Sequence, residues 1–153
     1  MDINLNEILF LKLKPVELLK DESKPQWGKM DPQQMVEHLI KSIKMSNGKI
    51  DAELITPFKK IESLKKSLFS SRTLSQIPEI DLLPGAPPPY EIDNMFFAKQ
   101  VLYEEVIEFY RYYEKTSYAT PMHPTFGRLN KKGWETFHTK HFFHHFSQFG
   151  LLS

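Results

Sequence analysis

"MDPQQMVEHLIKSIKMSNGK", Met30 to Lys49, sets the reading of the whole chain. Asp31 stands where a helix cap belongs, Pro32 suits the first helical position, and Gln34 completes a capping box with Asp31. Asn47 and Gly48 mark the stop. Between these signals Met35, Leu39, Ile40, Ile43 and Met45 fill a wide apolar arc around Val36, while Glu37, Lys41 and Lys44 share a narrow polar face. His38 falls at the edge of the apolar arc, between Met45 and Ser42, where it can face a neighbouring helix.

Outward from this helix the same period recurs. Asn4 to Lys20 carries Ile8, Leu11, Val16 and Leu19, with Pro15 expected to kink or divide the segment. "TPFKKIESLKKSLFSS", Thr56 to Ser71, reads as a short amphipathic helix on Phe58, Ile61, Leu64 and Leu68. "IPEIDLLPGAPPPYEID", Ile77 to Asp93, is rich in proline, which favours extended backbone over a packed element. A connection this long is expected to cover a site or a subunit contact, with Ile77 to Pro89 at the mouth. Asn94 to Lys115 returns to a long helix with Phe97, Val101, Val106 and Phe109 on one side. After a connection broken by Pro121, Pro124 and Gly127, the last helix is expected over Lys131 to Phe149. No segment alternates as a sheet would, so the class is all-α. Four main helices predict a bundle in one domain spanning 1–153, with a long Pro-rich connection between helices two and three.

Composition narrows the chemistry. A formal net charge of +1 gives no strong pull toward nucleic acid or an anionic membrane. The chain has no cysteine, which excludes disulfides, thiolate nucleophiles and Cys-type metal sites, so a metal would need His, carboxylate or water. The N-terminal residues are interrupted by Lys and Glu, unlike a signal peptide, and nothing approaches the ~18 apolar residues of a membrane span. A cytoplasmic, soluble protein is expected.

Four of the six histidines fall in "HTKHFFHHFSQ", His138 to Gln148. On a helical wheel His138, His141, His144 and His145 share one arc of about 120° with Trp134, Phe137 and Gln148. Phe143 and Ser147 take the other side. His141 and His145 sit at i and i+4, close enough to hold one divalent ion. His138 with His141 and His141 with His144, at i and i+3, compete with that pair, and His141 is common to all three. His38 on helix two offers a third ligand from a facing helix. His138 and His144 read as donors behind the ligands or as residues at the edge of the arc. His123, in "MHPTFG", reads as a loop or helix-entry residue. Phe142, Phe143, Phe146 and Phe149 read as core or dimer surface. Three neutral imidazoles with an open position suit Zn²⁺ or Ni²⁺, with Fe²⁺ and Mn²⁺ as alternatives, and support Lewis-acid chemistry on a water or a carbonyl. Glu37 points about 100° away from His38 on the wheel and is not assigned as a general base. Gln148, one turn past His145, is the better candidate for orienting a ligand or a water; its plainer reading is a buried amide satisfied by a neighbouring helix.

Three motifs in this order resemble the DinB/YfiT-like superfamily of four-helix bundles with a three-histidine metal site. They are "WGKMDPQQMVEHL" (Trp27 to Leu39), "HPTFGRLNKKGW" (His123 to Trp134) and "HFFHHFSQF" (His141 to Phe149). The middle one is similar to a branch with an HPxFG segment before the last helix. The match is weakest between Gly48 and Asp93. The resemblance implies that His38, His141 and His145 are the metal ligands. It further implies a metal-dependent hydrolase or a thiol-dependent transferase using a low-molecular-weight thiol, acting on a small molecule as a homodimer. A non-catalytic bundle, with a structural metal or none, is the alternative.

Overall fold

The computed structural model describes residues 3–77 and 86–152. Residues 78–85 of the Pro-rich connection, and with them most of the expected cover at Ile77 to Pro89, therefore lie outside the described residues. Among the described residues five α-helices form: α1 (Ile8–Leu13), α2 (Pro32–Ser46), α3 (Ile61–Leu68), α4 (Met95–Lys115) and α5 (Lys131–Gln148). A two-residue hairpin, β1 (Met122–His123) antiparallel to β2 (Gly127–Arg128), leads into α5. The chain is mostly helical, in keeping with the all-α expectation; the hairpin is too short to show as alternation in sequence.

Capping residues explain where the helices begin. Asp31 accepts from the Gln34 backbone N–H at 2.8 Å while the Gln34 side chain accepts from the Asp31 N–H at 3.0 Å, the reciprocal box read from the sequence. Asn94 and Asn130 cap α4 and α5 by accepting from the N–H groups of Phe97 and Gly133. At the end of α2 Gly48 takes a φ of 81°, and the Lys49 N–H returns to the Lys44 carbonyl at 3.1 Å. That left-handed turn closes the helix where an L residue would be strained.

The first segment is shorter as a helix than its period suggests. Pro15 lacks the N–H that an α-helix would use, and the chain tightens to a 3₁₀ turn over Lys14–Leu18 before Leu19 turns extended. Leu64 and Leu68 of α3 are buried, but Phe58 sits on a preceding 3₁₀ turn and is 88% exposed. The tighter winding rotates it off the stripe that period 3.6 assigns it to. Phe97, in the first turn of α4, is also exposed, whereas Val106 and Phe109 are fully buried.

α2 packs against both α4 and α5, and α1 contacts α4 and α5. Their inner faces form one continuous core in which Trp134, Phe109, Phe126, Phe142 and Phe146 are the largest wholly buried side chains. Each such aromatic contributes about 1.5–3 kcal/mol by leaving water. Polar ties fix the register. The Tyr110 hydroxyl donates to Glu135 of α5 at 2.7 Å and accepts from the Leu9 N–H of α1, and Tyr113 donates to the Ser46 carbonyl at 2.8 Å. No helix among the described residues is long and apolar enough to cross a membrane.

Candidate metal centre

The apolar arc of α2 faces α5 and carries His38 inward at its edge, while the stripe of α5 carries His141 and His145 one turn apart. The Nε2 atom of His141 lies 3.0 Å from Nε2 of His38 and 3.1 Å from Nε2 of His145. One ligand atom from each of the three lies within 4.8 Å of the others. Metal–nitrogen bonds of about 2.0–2.1 Å at tetrahedral angles place donor atoms roughly 3.4 Å apart, so the three imidazoles fit one ion after small shifts.

Hydrogen bonds behind the rings decide which nitrogens carry lone pairs. The Gln148 side-chain N–H donates to the Trp27 carbonyl at 2.8 Å, which turns its Oε1 toward His145. His145 Nδ1, 2.7 Å away, is then the donor, and its Nε2 is bare toward the cluster. With that nitrogen bare, a single proton cannot make two good hydrogen bonds among three converging Nε2 atoms. One cation satisfies all three at once. Burial holds the His38 imidazole down to about 4 and His145 to about 3, and places His141 well below the ordinary range, with the neighbouring histidines adding to each shift. The rings are therefore neutral at physiological pH, as ligation requires.

The family model described as a protein of unknown function, DUF1569, matches residues 7–150. The chain belongs to the DUF1569 family. No curated protein and no solved structure matches it. The matched span of this DUF1569 chain contains all three converging histidines.

Around the cluster the remaining candidates separate by contact. His144 is half-buried and meets the Trp27 ring edge-on at 6.0 Å, beside the partly exposed His38. His138 is wholly buried and turns its Nε2 to Ser46 Oγ at 2.7 Å. His123 lies with Phe126, Trp134 and Phe137, and its Nδ1 accepts from the N–H groups of Thr125 and Phe126. It thereby shapes the turn between β1 and β2. Glu37 is buried, accepting from the Glu91 N–H at 2.8 Å and from Gln33 at 3.1 Å. Asp31 accepts from the Tyr90 hydroxyl, and the side chains of Gln33 and Gln34 donate to the carbonyls of Ile92 and Pro88. The first turns of α2 in this DUF1569 chain thus hold residues 88–92.

Sequence reasoning missed two supporting groups. Trp27 serves through its carbonyl, which no side-chain pattern reveals. Ser46 lies two turns past His38 on α2, and that spacing alone hinted that it faces α5.

Proposed function

We propose that this protein is a metal-dependent enzyme with His38, His141 and His145 as ligands of one divalent ion. The convergence of three neutral imidazole nitrogens, one of them held bare by Gln148, carries this reading. Zn²⁺ or Ni²⁺ suits the all-nitrogen set best, with Fe²⁺ and Mn²⁺ as alternatives. The likeness of Trp27 to Leu39, His123 to Trp134 and His141 to Phe149 to the DinB/YfiT-like bundles supports the same ligand set and a hydrolase or thiol-dependent transferase. An ion held there supplies Lewis acidity toward a water, a low-molecular-weight thiol or a carbonyl. The chain's own part is to keep His141 and His145 dry at the back of the site and to leave His38 at the accessible edge beside Trp27 and His144. A small-molecule substrate is proposed to approach from that edge.

Near-complete burial of His141 and His145, 2% and 0% exposed, favours a second reading in which the ion is structural and the bundle does no chemistry. Elemental analysis of untagged protein, with the His38, His141 and His145 to Ala triple variant beside it, tests the ligand set that both readings need. About one ion per chain is expected in the wild type and none in the variant. Equal metal in both removes the assignment. Thiol-dependent or hydrolytic turnover lost on metal removal then separates enzyme from structural site. Homodimerisation is supported by the exposed rings of Phe96, Phe97 and Phe143 and is checked by sedimentation.

A further inference from the structure

Among the described residues two buried side-chain nitrogens lack a hydrogen-bond partner: Nδ1 of His138 and Nδ1 of His141. An unmatched polar atom in a dry core is destabilising, so a pair of them one turn apart on one helix calls for a common explanation.

The two atoms are of opposite kind. Ser46 Oγ donates its hydrogen to the Ile43 carbonyl at 2.7 Å, so toward His138 Nε2, also at 2.7 Å, it can only accept. His138 therefore carries its proton on Nε2, and its Nδ1 is a bare acceptor. His141 presents Nε2 to the cluster as a lone pair if it is a ligand, and a neutral ring then holds its proton on Nδ1. That nitrogen is a donor. The acceptor and the donor lie on the same face of α5, at i and i+3, both out of reach of bulk water.

Apart from the Ser46 contact at Nε2, the slot that holds His138 is lined by aromatic rings. Its ring stacks on Trp134 at 5.4 Å and on Phe142 at 6.4 Å and meets Phe109 edge-on at 5.6 Å. A phenyl ring would fill this slot without placing a bare nitrogen in it.

We propose that His138, locked by Ser46, is a positioning residue for His141: a single buried water accepts from His141 Nδ1 and donates to His138 Nδ1. This rests on the reading of His141 as a metal ligand. The relay gives His141 what Gln148 gives His145, an anchor for the ring and a stronger lone pair at Nε2. It runs from the metal site through His138 and Ser46 to the Ile43 carbonyl, and so couples α5 to the last turn of α2.

The test compares Zn²⁺ affinity, by competition with a chelator, in wild type, His138→Phe and His138→Asn. Asn keeps an acceptor near the Nδ1 position; Phe keeps the packing and loses the acceptor. A roughly 10–100-fold loss in His138→Phe, with His138→Asn closer to wild type, is the expected order. A purely structural role gives the reverse order, because Asn leaves a cavity and Phe does not, and that result overturns the proposal while the metal assignment stands. Wild type that takes up no Zn²⁺ overturns the metal assignment itself. Should a variant not fold, imidazole ¹⁵N shifts of the wild-type protein decide. They are expected to report His138 protonated on Nε2 and His141 on Nδ1; His138 protonated on Nδ1 ends the proposal.

Discussion

At the scale of single residues, the centre depends as much on what stands behind the rings as on the rings themselves. Gln148 holds His145 at 2.7 Å and is held in turn by the Trp27 carbonyl. Gln148→Leu is expected to lower metal affinity about 10–100-fold with helix content unchanged, as read by chelator competition and circular dichroism. Unaltered affinity would remove Gln148 from the site. The ligand candidates were legible in the sequence because spacing on one helix is a local property: His141 and His145 are four apart, and one stripe gathers them. Gln148, on the same stripe, was legible for the same reason; which residue of α2 meets His138 was not, because the contact between Ser46 and His138 joins residues 92 positions apart.

At the scale of elements, cap chemistry made α2 readable almost to the residue, while α1 and α3 differ from their periodic patterns. Both differences arise where 3₁₀ winding replaces α winding, at Lys14–Leu18 and at Phe58–Lys60. A 3.6 period cannot anticipate that change. The stop of α2 depends on glycine. A Cβ at Gly48 would have to adopt a φ of 81° and would lie 2.9 Å from the Tyr112 ring, so Gly48→Ala is expected to cost about 1–2 kcal/mol, read as a lower urea midpoint. An unchanged midpoint would mean that the turn adopts another closure. Within α5, Trp134 is wholly buried and donates its indole N–H to the Pro121 carbonyl at 3.0 Å. Trp134→Ala is expected to cost about 3–5 kcal/mol by the same measurement, and a loss below about 1 kcal/mol would contradict its place in the core.

At the scale of the whole molecule, burying neutral histidines makes the fold sensitive to acid. His123 and His138 are held down to about 3 by burial, against an ordinary value of 6.5. The unfolded chain takes up their protons as pH falls through about 6.5, whereas the folded chain does not until near 3. The contribution of these two rings to stability is therefore flat above about pH 7 and declines below 6.5, by up to about 1.4 kcal/mol per pH unit for each ring. Urea midpoints at pH 7.5, 6 and 5 check the sign; a midpoint independent of pH would mean that these rings are not held neutral. The grip of α2 on residues 88–92 has a different consequence. Asp31, Gln33, Gln34 and Glu37 fasten the start of the second half of the chain to the helix that bears His38, while His141 and His145 belong to that second half. A protein supplied as two polypeptides, divided within 78–85, would then have its own docking contacts and the proposed ligand set split between the pieces. Metal capture by the mixture, and by neither fragment alone, would report their reassembly.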